Sequence, residues 1–367
     1  MDLGLRYVSQ DICYPAVIII GQMLEALKSG KYDLKHTSIM LFQSGGACRA
    51  TNYLQLMRDA LKNAGFANIP VFACWGKEKD EFKLSLSSFV DLAKGIIYGD
   101  LLLRVSQRVR PYEILKGSTM KLFDTWTKRC KEELTSGSYG KFSSNLKAIV
   151  KDFDKLPIHE DMVKPKVGIV GEILVKYHPL ANNYLVKVLE EEGAEVLLPD
   201  LLDFIFYMAY DDKVKFELLD GSLLDCVKSS VFIKTLEMYR KPMATALARS
   251  KRFLHVMPIE EVAKMTKKHL SLGNIAGEGW LLTGEMFKYL QEGVENIICL
   301  QPFGCLPNQV TGKGMVREVL HNHPEANIVT LDCDAGSSEV NQLNRIKLML
   351  TIARQKLAEE SKVNNAL

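Results

Sequence analysis

A chain of 367 residues, 47% hydrophobic and 25% charged, has the composition of a globular protein large enough for two domains and a sizeable core. Its net charge of +3 comes from basic residues scattered along the chain rather than gathered in a stripe, which argues against a nucleic-acid partner. The start Met1-Asp2-Leu3-Gly4 lacks a cationic stretch leading into an apolar run, and the apolar patches at 16–20 and 201–210 fall short of the roughly 20 residues a spanning helix needs, so neither secretion nor a membrane is expected and the cytoplasm is the expected compartment.

Residues 15–28 are apolar at helical spacing behind Pro15, which suits a first helical position. A short buried strand is predicted at 38–43, followed by Ser44-Gly45-Gly46-Ala47, a helix at 50–63 and a second strand at 69–73. This alternation is the βα pattern of a parallel sheet. From 81 to 150 the pattern turns helical and more polar, most clearly at 89–103 and 119–134. The polar, proline-bearing stretch 155–166 is the best boundary. It divides an N-terminal α/β domain (1–160), carrying Cys13 and Cys48, from a C-terminal α/β domain (161–367), carrying Cys305.

A second βα series follows. A strand is predicted at 166–170, a helix at 181–192 stopped by Gly193, a strand at 195–198 and helix through 201–250. A weak strand is predicted at 253–256, a helix at 278–292, strands at 296–300 and 327–331, and a long terminal helix at 338–357. The expected fold class is α/β, with two doubly wound domains and additional helices.

Eight cysteines without a secretory signal argue against a disulfide framework and leave metal binding, catalysis or burial. Cys13 lies just before the helix that Pro15 opens, Cys48 between a strand and a helix, and Cys305 in the turn Pro302-Phe303-Gly304-Cys305-Leu306-Pro307 after a strand. In open α/β sheets ligands collect at the carboxyl ends of strands. Helix N-termini there stabilise thiolates, and soft thiolates select iron-sulfur clusters, zinc or cuprous ions. Gly45, Gly46 and Gly304 would let the backbone approach a bulky cluster, and Arg49 would offset its charge or form a surface ion pair. Spacing alone leaves a second reading open, in which these small residues fill tight turns. Cys74, Cys130, Cys226, Cys299 and Cys333 fall at a strand end or in helical or strand stretches and are read as buried or incidental thiols.

Nucleotide motifs fail on spacing. Thr311-Gly312-Lys313-Gly314 is like the end of a phosphate loop, but Pro307 stands where its first glycine should be. The glycines from Gly273 to Gly279 have the wrong intervals for a dinucleotide fingerprint, and His321 and His323 read as a solvated helix end.

The segments Asp11-Ile12-Cys13-Tyr14-Pro15-Ala16, Gln43 to Tyr53, Arg110-Pro111-Tyr112-Glu113, Gly168 to Ile173, Gly277 to Thr283 and Gln301 to Asn308 resemble, in order, the C-terminal part of the large acyl-CoA dehydratase activase-related proteins. That part is similar to the cluster-bearing subunits of 2-hydroxyacyl-CoA dehydratases and to double-cubane cluster proteins. The resemblance implies two Rossmann-like domains with an iron-sulfur cluster between them, held by Cys13, Cys48 and Cys305. It implies a 4Fe-4S cluster; a double cubane would need more cysteines than these three. Glu172, Glu278 and Gln301 lie in the matched segments, where they would contact an open iron or move protons, or else serve as a helix N-terminal charge and strand-end solvent contacts. The implied function is an electron-transfer or reductase component fed low-potential electrons by a separate ATP-dependent activase. Two alternatives are the catalytic subunit of a 2-hydroxyacyl-CoA dehydratase and a metal-free, two-lobed binding module for a small ligand. The implied partners are the activase, an acyl-CoA or other small-molecule substrate, and a second copy of the chain.

Overall fold

The computed structural model describes residues 1–9, 11–44, 46–73, 85–137 and 139–366. The chain opens with helices α1 (Asp2–Tyr7) and α2 (Tyr14–Lys28). It continues through strand β1 (Ile39–Leu41), a 3₁₀ turn (Arg49–Asn52), helix α3 (Tyr53–Asn63) and strand β2 (Val71–Ala73). β1 and β2 pair in parallel with Ile39 opposite Val71. Their inward residues Ile39, Leu41, Val71 and Ala73 pack on Leu24, Met57 and Leu61 of the flanking helices.

Three long helices follow, α4 (Leu86–Val109), α5 (Ser118–Ser136) and α6 (Phe142–Asp154). Next come β3 (Lys166–Gly171), α7 (Ile173–Tyr177), α8 (Leu185–Glu191), β4 (Glu195–Leu197), α9 (Leu201–Leu218), α10 (Leu223–Arg249) and α11 (Ile259–Thr266). The chain closes with α12 (Gly279–Gln291), β5 (Asn296–Pro302), α13 (Val316–Asn322), β6 (Asn327–Cys333) and α14 (Glu339–Ala366). The fold is mixed α/β with parallel sheets.

The larger sheet runs in the order β4-β3-β5-β6, with every pair parallel. β3 and β5 read as nearly unbroken apolar runs because both of their faces are buried. Val167, Ile169, Ile298 and Leu300 face Ile18, Leu185 and Met349. Val170, Ile297 and Cys299 face Met286, Phe287 and Val319. The largest apolar core lies among the helices, where Leu101 and Leu146 meet Phe206, Leu236 and Trp280, so it draws on residues from both sides of position 160.

Two sequence expectations need correction. Residues 253–256 form no strand. Phe253 is buried in the helical core, and the Arg252 guanidinium donates to the carbonyls of Phe153 and Leu156 at 3.1 and 3.0 Å, which ties this segment to the end of α6 instead of to a sheet edge. The helix expected from residue 181 begins at Leu185, because Asn183 and Tyr184 take positive φ of 52° and 56°. The Asn182 side chain accepts from the Leu185 amide at 3.1 Å and donates to the Val175 carbonyl at 2.8 Å, which fixes this turn.

Strand order places the site. From β3 the chain crosses to β4 on one side, and from β5 it crosses to β6 on the other. The loops leaving β3 and β5 therefore diverge and open a crevice at their carboxyl ends, the usual ligand position in such sheets.

Candidate functional site

Glu172 leaves β3 as the N-cap of α7, its carboxylate accepting from the Val175 amide at 2.8 Å. From the other side Glu278, the N-cap of α12, accepts from the Ile173 amide at 2.8 Å. At the end of β5 the chain turns through Phe303-Gly304-Cys305. Cys13 caps α2, whose first amide, that of Tyr14, donates to the Phe303 carbonyl at 2.9 Å and joins the helix start to this turn. Gly304 sits at φ +68°, and a Cβ there would lie 3.0 Å from Cys13 Cα. Only glycine allows both that backbone angle and that approach.

Cys48 caps the 3₁₀ turn that leads into α3. It reaches the same place through Gly277, where an added Cβ would lie 3.8 Å from Cys48 Sγ and 2.8 Å from Pro307 Cγ, two residues beyond Cys305. Cys13 and Cys305 are buried and Cys48 is half-buried. The structure thus gathers Cys13, Cys48, Cys305, Glu172, Glu278 and Gly304 around one crevice, with Gln301 buried at the end of β5 beside them. Gly46 and Arg49 do not join them: both are exposed, and among the described residues Arg49 makes no ion pair. Gly45 and Cys74 lie outside the described residues.

The electrostatics are those of a desolvated acidic pocket. Burial pushes all three thiols above the usual cysteine range, and the charges of Glu172 or Glu278 push each further. Burial and then the neighbouring Glu278 raise Glu172 to about 8, and burial raises Glu278 as well. Near neutral pH the two carboxyls therefore hold a proton. Lys176 opposes this, but its ammonium is engaged by Glu285 at 2.9 Å in a buried pair behind the crevice.

Two contributors were not anticipated. Tyr53, the last residue of the segment that carries Cys48, places its hydroxyl 3.1 Å from Cys13 Sγ, and this contact pulls the Cys13 thiol back down. The amide of Asn308 stands 3.5 Å from Cys305 Sγ. With its oxygen and nitrogen exchanged, that amide instead joins the two strand ends, donating to the Leu300 carbonyl at 3.2 Å and accepting from the Glu172 amide at 3.1 Å, and its oxygen then faces Cys305 Sγ. Both residues stand inside motif segments, Tyr53 five positions after Cys48 and Asn308 three after Cys305, so position was the available signal.

The side-chain oxygen Gln301 Oε1, buried at the end of β5, has no hydrogen-bond partner among the described residues. Unpartnered buried oxygens are uncommon in folded proteins. Among the described residues, no three His, Cys, Asp or Glu side chains converge tightly enough to hold a single metal ion. The described cysteines are all free. Cys130, Cys299 and Cys333 sit in apolar cores where burial pushes each thiol up to about 12.

No family model, curated protein or solved structure matches the chain. No described helix is long and apolar enough to cross a membrane.

Proposed function

We propose that this chain is an iron-sulfur electron-transfer or reductase component, a cytoplasmic protein that takes low-potential electrons from an ATP-dependent activase and hands them to a substrate or partner. Its two parallel sheets would be the centres of two Rossmann-like doubly wound domains, and Cys13, Cys48 and Cys305 would be the ligands. The observation that carries this reading is the meeting of three cysteine-bearing turns, far apart in sequence, at the diverging ends of β3 and β5.

The residues fit such a group in two respects. The Gly304 turn leaves the backbone free of a side chain where Cys13 and Cys305 approach. Gln301 Oε1 is a buried acceptor without a partner. When bound, a 4Fe-4S cluster supplies low-potential one-electron chemistry.

The chain's own residues set the conditions around it. Binding must displace protons from three thiols that burial keeps protonated, so loading is favoured as pH rises. The Tyr53 hydroxyl is placed to donate to Cys13 and stabilise its thiolate. Glu172 and Glu278, with raised affinity for protons, reduce the negative charge in a pocket that would already hold three thiolates.

Protein purified without oxygen should be brown, contain about four irons and about four sulfides per chain, and lose both in Cys48→Ser. Iron-free, colourless protein from strictly anaerobic preparation would sink the proposal. The protonated Glu172/Glu278 pair favours one second reading, the catalytic subunit of a 2-hydroxyacyl-CoA dehydratase, since a neutral carboxyl near a substrate is a proton donor. Calorimetric binding of an acyl-CoA to the iron-loaded chain separates the two readings.

A further inference from the structure

We propose that the outward face of α10 is the contact surface for a second copy of this chain, the two helices packing antiparallel about a two-fold axis. α10 buries Ile233, Leu236, Arg240, Met243 and Leu247 on one face. At about 100° per residue, Leu223, Leu224, Val227, Val231 and Met238 fall on the opposite face, and each is between 51% and 63% exposed. A helix that only covers a core has polar residues there.

The spacing of this outer face is that of a helix pair. From Leu224 the positions 227, 231, 234, 238, 241 and 245 follow in alternating steps of three and four, the heptad spacing of a helix-pair seam, occupied in turn by Leu, Val, Val, Lys, Met, Lys and Thr, so its apolar part runs from Leu224 to Met238, ahead of Pro242. Nothing in the described part of the monomer covers it. At the adjoining tip Phe216, Leu218 and Leu219 are also exposed. Together these apolar residues expose on the order of 800 Å², about the share each partner contributes to a standard-size interface. Patches of that size are unusual on a monomer.

Charge selects the occupant and the orientation. Lys234 and Lys241 are exposed in the later half of the seam, and among the described residues neither makes an ion pair. The exposed carboxylates Glu217, Asp220 and Asp225 cluster at the helix's beginning and the turn before it. Glu217 and Asp225 have only exposed local partners, Lys213 at 3.9 Å and Lys228 at 3.4 Å. An antiparallel copy lays each acidic tip along the other's lysine-bearing half, whereas a parallel copy sets like charges together. One surface is thus complementary to itself, the requirement for a two-fold contact. The lysine stems can lie along the apolar seam with their ammonium groups in solvent.

The test is the solution mass of the full chain by sedimentation equilibrium at tens of micromolar, which should be twice the 41.3 kDa of one chain. Val231→Glu, in the middle of the seam, should return the mass to 41.3 kDa while leaving the far-ultraviolet circular-dichroism spectrum unchanged, since Val231 is 59% exposed. Wild-type protein that sediments as a monomer overturns the proposal, whether the face is bare or taken by a different protein. A dimer that persists in a folded Val231→Glu variant overturns it too, by placing the contact elsewhere. Neither outcome depends on iron content.

Discussion

Gly304 and Gly46 have nearly the same backbone angle, φ +68° and +69°, yet different surroundings. A Cβ on Gly46 would meet nothing within 4 Å, while one on Gly304 would lie 3.0 Å from Cys13 Cα and 3.2 Å from Cys13 N, neither of which can turn aside as a side chain could. Gly46→Ala should therefore lose only the left-handed backbone cost, about 1–2 kcal/mol. Gly304→Ala should lose that and a further steric cost of about 1–3 kcal/mol as the α2 start is pushed from the β5 turn. Urea midpoints of the two variants measure the difference, and equal losses would mean that the Gly304–Cys13 contact contributes no stability. The residue scale is also where sequence reading reached its limit. The three cysteines could be picked out because each stands at a turn between elements, a local property. Tyr53 shares a motif segment with Cys48, but its role depends on Cys13, 40 residues earlier in the chain, a pairing no local pattern reports.

Among the elements, α9, α10 and α12 are joined by a carboxylate with two cations. Asp203 on α9 accepts from Arg240 of α10 and from Lys288 of α12, both at 2.8 Å, and all three side chains are buried. Burial alone would raise the Asp203 pKa, but Lys288 and Arg240 overcome it and hold the group at about 2. Its folded pKa is thus below the unfolded value of about 3.9, so its stabilisation is present above that pH and lost as pH falls through about 2. Asp203→Asn would leave two buried cations short of a counter-charge. A loss of about 3–5 kcal/mol is expected in urea or thermal unfolding at neutral pH; a variant as stable as wild type would show that solvent already screens the triad. The helices themselves were legible, and β3, β5 and β6 stood out as apolar runs bounded by turns. Their polar ties were not, since Asp203, Arg240 and Lys288 look in sequence like ordinary solvent-facing positions. The strand expected at 253–256 failed for the same reason, because Arg252 is fixed by carbonyls about 100 positions earlier in the chain, at Phe153 and Leu156.

For the whole molecule, buried acids of opposite shift bound the pH range of stability. The site was legible as an order of motifs, but its acidity follows from how deeply the crevice is enclosed by α9 and α12, which no local pattern reports. Asp211 on α9 shows the effect away from the cysteines. Burial pushes it up to about 8 even though the Trp280 indole N–H donates to it at 3.2 Å. A carboxyl whose folded pKa lies above its unfolded value favours the fold fully below about pH 3.9 and loses that contribution as pH rises through about 8. Glu172 and Glu278 shift in the same direction, so the metal-free chain should lose stability as pH rises from about 4 to about 8, with the decline levelling off above that. Asp211→Asn keeps a neutral group of the same shape that can still accept from Trp280. It should flatten part of the decline, with the urea midpoint falling less from about pH 4 to about pH 8 than in wild type. If both proteins decline with the same slope, Asp211 is ionised in the folded chain at neutral pH, and the loss must be assigned to the carboxyl pair at the crevice.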